Sequence, residues 1–82
     1  MITPYYAVKD LKVGFMMPQP FPNDEAAKRA FEISAQDPRS PLNQCPQDYE
    51  FWRLGHFDDQ TGILTPAVEF VHSVRFMEGY NE

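Results

Sequence analysis

Apolar positions fall into three stretches along this chain, and two proline-rich segments separate them. In the first, residues 5–17 (YYAVKDLKVGFMM), aromatic and β-branched types dominate. The pattern predicts a strand with Tyr6 and Val8 on one face and Tyr5, Ala7 and Lys9 on the other. Gly14 predicts a bulge or bend before Phe15. Pro18, Pro20 and Pro22 then predict an extended, irregular connection with Phe21 as its one large side chain. The period changes at Asn23. Asn23 or Asp24 can cap a helix, and Asp24 and Glu25 place negative charge beside the positive end of its dipole. Ala27, Ala30, Phe31 and Ser34 form one stripe with Ala26 and Ile33 on its flank, and Pro38 stops the helix near Gln36 or Asp37.

Residues 37–48 (DPRSPLNQCPQD) carry three prolines and few apolar side chains, which predicts a long loop of turns and extended backbone. The third stretch predicts a hairpin. Tyr49–Phe57 reads as a strand with Trp52 and Leu54 on one face and Tyr49, Phe51 and Phe57 on the other. Asp58, Asp59, Gln60, Thr61 and Gly62 form its turn, with Gly62 where positive φ is needed. Ile63–Thr65 begins the return. Pro66 ends this strand or marks it as a sheet edge, and alternation resumes over Ala67–His72. Residues 77–82 read as a frayed tail. The expectation is an α+β fold, a single domain over residues 1–82. A small antiparallel sheet of three to four strands would pack against one helix, with the proline-rich loop at 37–48.

Composition narrows the function classes. Eighty-two residues lie near the size at which one core suffices without covalent staples. Twelve aromatic rings help offset backbone ordering of about 1–2 kcal/mol per residue. The margin is thin, which leaves a homo-oligomer open. A net charge of −5 argues against a protein that coats nucleic acid through phosphate neutralisation. Cys45 is the only cysteine, so no internal disulfide is expected and the chain reads as reduced and intracellular. No apolar run approaches the roughly 18 residues of a membrane span, and no basic segment followed by an apolar one opens the chain. Neither export nor membrane contact is expected.

Candidate chemistry is sparse. His56 and Asp58 share a strand face, with Asp59 beside them, but Gly62 falls one position too early for a calcium loop. The aspartates are expected to accept backbone N–H bonds and shape the turn, with no metal or other cofactor. Cys45 lies in a proline-bracketed loop, and the four glycines are too scattered to cradle phosphate. No acid, base and nucleophile converge in the sequence, so no enzyme is expected. The aromatic residues offer more. Single strands of nucleic acid bind exposed rings beside basic side chains. Tyr5 with Lys9 and Lys12, and Trp52 with Arg53, supply that chemistry in miniature.

The run Leu54-Gly55-His56-Phe57-Asp58-Asp59-Gln60-Thr61-Gly62-Ile63-Leu64 resembles the small non-structural protein of gokushoviruses, microviruses with circular single-stranded DNA genomes. That family shows an LG-x-[FY]-D-[DE]-x-TG-x-hydrophobic pattern. The opening Tyr6-Ala7-Val8-Lys9-Asp10, a proline-phenylalanine segment before Asn23-Asp24, and Arg29-Ala30-Phe31 agree with it. So do Asp37-Pro38, Ser40-Pro41-Leu42 and Pro46-Gln47-Asp48-Tyr49. His56 departs from the pattern, where a carboxylate is usual, and the segment after Pro66 lies outside the resemblance. The resemblance implies work in the host cytoplasm on viral single-stranded DNA synthesis or genome packaging, and absence from the mature capsid. A viral replication or capsid-assembly protein, single-stranded DNA, or both would be the partner; no catalytic residue carries over. A second reading is a self-associating structural or scaffolding protein that pairs along a Thr65–Phe76 edge strand.

Overall fold

Asp10 sets where the first strand ends. Its side chain accepts the backbone N–H of Lys12 at 2.9 Å and its carbonyl accepts that of Val13 at 3.1 Å, which turns the chain. The computed structural model describes residues 1–77 and 79. In it β1 runs Ile2–Asp10, and Gly14, at φ +131°, opens the two-residue strand β2 (Gly14–Phe15). The bulge or bend expected at Gly14 is therefore the return of a tight hairpin. The proline segment is also more regular than expected. Gln19–Pro20 pairs with β1 as β3, a place where proline's missing N–H faces outward from a sheet edge.

Helix α1 spans Asp24–Gln36, and its cap is Asn23, whose side chain accepts the N–H of Ala26 at 2.8 Å. The buried stripe is Ala27, Phe31 and Ala35; Ala30 and Ser34 are half-buried, and the expected flank residue Ile33 is exposed. The expected loop at 37–48 holds a short helix α2 (Pro41–Gln44) and a 3-10 turn (Pro46–Asp48). Proline at a first helical position costs no hydrogen bond. Ser40 accepts the N–H of Leu42 at 3.1 Å, and Leu42 enters the core. What reads as a loop of turns and extended backbone contains proline-started helical turns.

Strands β4 (Tyr49–Asp58) and β5 (Leu64–Ser73) form the predicted hairpin, and a 3-10 turn follows at Val74–Phe76. Gly62 has φ +77° as its turn position requires. Pro66 lies within β5, which is an edge strand. The sheet is antiparallel with five strands in the order β2-β1-β4-β5, and β3 also pairs with β1. The α+β class holds, with two more short strands than the sequence pattern marks.

One face of this sheet carries α1. Tyr6, Phe51 and Phe31 stack in sequence, with centroids 5.6 and 5.0 Å apart. They join Ala27, Ala35, Leu42 and Val74 in one cluster. Each buried ring of this size contributes about 1.5–3 kcal/mol. The frayed tail expected at 77–82 falls mostly outside the described residues. Met77 itself packs, half-buried, against the core.

Candidate binding face

Strand alternation decides which side chains are left outside. Phe51 points at α1, so Trp52 points away from it. Ala7, opposite Trp52, and Lys9 and Tyr5, two residues to either side, share that outer face. Between Tyr5 and Tyr6 the register of β1 against β4 slips: Tyr5 pairs with Gly55 but Tyr6 with Arg53. Leu54 is the extra residue of this bulge. Beyond it every β4 side chain changes face, so Phe57 lies with Tyr5, centroids 6.3 Å apart, and not with Phe51 as expected.

The outer face has two halves. At one end four rings meet edge to face: Phe15, Trp52, Phe70 and Phe76, at successive separations of 6.1, 5.8 and 6.0 Å. The Lys9 ammonium sits 5.4 Å from the Phe15 centroid and 5.3 Å from that of Trp52. Trp52 donates its indole N–H to Glu50 at 3.0 Å. At the other end Tyr5, Met17, Pro18, Leu54, Phe57 and Leu64 wall an apolar groove of about 670 Å³, floored by Gly55, Thr65 and Pro66. Among the described residues, no helix lies across this side.

The five residues expected to bind nucleic acid do not form one site. Tyr5, Lys9 and Trp52 share the outer face. Arg53 lies on the helix face, where its guanidinium holds Asp24 at 2.9 and 3.1 Å and also pairs with Glu69. Alternation alone requires this, since Arg53 follows Trp52 on a strand. Lys12 sits in the β1–β2 turn, 3.5 Å from Asp48. The residues the sequence reading missed are Phe15, Phe57, Leu64, Phe70 and Phe76. The Val68/Phe70 alternation was a usable signal for Phe70; the position of Phe57 needed the bulge.

Arg53 is instead part of a latch between sheet and helix. Tyr6 donates its hydroxyl to Asp24 from a nearly inaccessible position. Burial, then that hydrogen bond and the Asp24 charge, push the Tyr6 hydroxyl up to about 12. The Tyr6 bond, with Arg53 assisting, holds the Asp24 carboxyl below the usual range.

The turn residues behave as structural parts. Asp58 accepts the N–H of Gln60 at 2.9 Å through its side chain and that of Gly62 at 2.8 Å through its carbonyl. Thr61 accepts the N–H of Ile63 at 3.2 Å. Asp59 pairs with the terminal amine at 2.6 Å, which lowers its carboxyl. His56 and Asp58 line one shallow pocket, as their shared face requires. Among the described residues, no three His, Cys, Asp or Glu side chains gather as a metal site would need. Cys45 is exposed. No helix among the described residues is long and apolar enough to cross a membrane.

A family model described as Phage ORF5 protein matches residues 3–78, and so takes in the segment after Pro66 as well. No curated protein and no solved structure matches the chain.

Proposed function

The chain belongs to the Phage ORF5 protein family, and from that premise we propose that it is the small non-structural protein of a gokushovirus-type microvirus. In this reading it assists single-stranded DNA synthesis or genome packaging in the host cytoplasm by binding, without catalysis of its own. Its partner is a viral replication or capsid-assembly protein, seated on the helix-free face of the sheet. The observation that carries the reading is that face. Four edge-to-face rings and an apolar groove stand on one side of a sheet whose other side already holds the core. Contiguous apolar surface of this kind marks interaction sites on soluble proteins. Aromatic anchors of this type dominate the energetics of protein interfaces.

Trp52 is the only tryptophan of the chain, so its fluorescence reports directly on the face. Titration with the phage's purified replication and capsid proteins should shift that emission, and Phe70→Ala should weaken the shift. Unchanged emission with every viral protein would refute this reading.

One observation favours single-stranded DNA as a second occupant: the Lys9 ammonium held over two rings of the row. Rings beside a cation are the platform on which bases stack. With Arg53 and Lys12 engaged elsewhere, Lys9 is the one cation of the expected set on this face. The net charge of −5 opposes approach. The protein partner is therefore the stronger reading.

A further inference from the structure

We infer that a second copy of this chain covers the outer face of the sheet when no other partner holds it, so that the free protein is a face-to-face dimer. The inference takes the binding face described above and names its resting occupant.

A sheet with apolar side chains on both faces needs a layer on each, and α1 supplies only one. The exposed area is large enough to matter. Phe15, Phe70 and Phe76 are 47%, 42% and 65% exposed, and Met17, Leu64 and Val68 are 81%, 65% and 57% exposed. Val68 and Leu64 share the face of Phe70 by alternation along β5. At about 150–250 Å² for a large side chain, these six expose roughly 600 Å². The half-buried Tyr5, Trp52, Leu54 and Phe57 raise the total toward the about 800 Å² that each partner of a stable complex buries. The largest apolar patch on a monomer is usually about 300–600 Å².

The edges of the sheet are guarded while the face is not. β5 carries Pro66, and its register against β4 slips twice, between Phe51 and Trp52 and between Arg53 and Gly55, each time with an extra β5 residue. Proline and bulges are the devices that stop a strand edge from templating another strand. At the opposite edge β2 and β3 are two residues each, and β3 contains Pro20. Pairing along β5 therefore yields to packing through the face. Two such sheets would lie about 10 Å apart with side chains interdigitated.

Charge permits this arrangement. Lys9 and Glu50 face each other across β1 and β4 and carry opposite signs, so a twofold copy can meet each with its complement. Asp24, Glu25 and Glu32 sit on α1, on the opposite side of the sheet from the closing face.

Sedimentation equilibrium over about 1–100 µM protein, the range that brackets micromolar association, tests this. The expected mass is twice the 9.5 kDa of one chain. Phe15→Glu and Val68→Glu, at exposed positions on opposite margins of the face, should each weaken association at least tenfold with unchanged circular dichroism. A monomer throughout that range overturns the inference. So does a dimer that Phe15→Glu leaves intact and Ala67→Pro abolishes, because that dimer is joined along the β5 edge. So does a monomer that gains mass only when oligothymidylate or a viral protein is added. A monomeric parent whose Trp52 emission still responds to a viral protein fails this inference and keeps the proposed function. A dimer that no viral protein perturbs does the reverse.

Discussion

Gly55 is buried in β4 against the β5 backbone, and replacing it with alanine is a sharp test of the sheet geometry. A Cβ there would stand 2.3 Å from the Thr65 carbonyl oxygen and 3.1 Å from both Thr65 C and Pro66 Cα. All three are backbone atoms, so no side chain can swing aside. The β5 backbone must retreat by about 1 Å to restore van der Waals contact. Overpacking of this kind costs about 1–3 kcal/mol. Each ladder hydrogen bond weakened beside Gly55 adds about 0.5–1.5 kcal/mol. A loss of about 2–4 kcal/mol is large against the roughly 4–12 kcal/mol expected for a domain this size. At about 4–8 °C per kcal/mol it lowers the melting temperature by about 8–32 °C. Thermal unfolding followed by circular dichroism measures it, with Gly62→Ala as the control. Nothing lies within 4 Å of a Cβ at Gly62, so that variant suffers only left-handed strain, about 1–2 kcal/mol. If Gly55→Ala melts with the parent, or above Gly62→Ala, the close approach of β5 is wrong, and so is the floor of the apolar groove.

Gly62→Val should cost about 1–3 kcal/mol, because a β-branched side chain tolerates positive φ poorly; urea midpoints equal to the parent's would contradict the turn. The Tyr6 hydroxyl is raised from 10.0 to about 12. The folded state therefore holds the proton more tightly, and this stability is fully present below pH 10 and lost as pH climbs toward 12. Tyr6→Phe should lower stability near neutral pH and remove part of that alkaline loss, as urea midpoints at successive pH values would reveal. Single-stranded DNA, if bound, should show a log affinity against log salt slope near −0.7, the value for about one phosphate contact. Fluorescence anisotropy on the parent and on Lys9→Glu checks this, and a slope steeper than about −2 would mean a cationic surface other than the outer face. Purified protein should carry no stoichiometric divalent ion; elemental analysis after gel filtration giving one metal per chain would overturn the structural reading of Asp58 and Asp59.

The local elements were legible because they rest on local chemistry. The Asn23 cap, the stop near Pro38 and the Asp58–Gly62 turn each depend on residues within a few positions of one another. What the sequence hides is register. Leu54 carries no mark that it is a bulge residue, yet the slip at that point moves Phe57 to the other face. Prolines misled in the opposite direction: Pro41 and Pro46 begin helical turns, which gives Leu42 its place in the core. The split of Trp52 from Arg53 is different in kind. Adjacent residues on a strand cannot share a face, so their separation was readable from period two alone.

The division of chain length between helix and hairpin argues that the open face is built in. α1 has thirteen residues and spans about 20 Å. The ten-residue strands β4 and β5 extend about 33 Å. One such helix can cover neither the full length of the hairpin nor more than one side of it. A chain selected only to fold alone gains by placing polar residues on the uncovered side, because each exposed ring adds nothing to its core and promotes association. Here that side holds Phe15, Trp52, Phe70 and Phe76 in contact, with Lys9 laid over the first two. Two of the expected cations are used elsewhere: Arg53 ties the sheet to α1, and Lys12 lies near Asp48. Lys9 and Arg75 remain over rings of the row, too few to make a phosphate track. What remains is a largely apolar surface with a groove at one end, which the proposed reading covers with a sheet or helix of another protein chain.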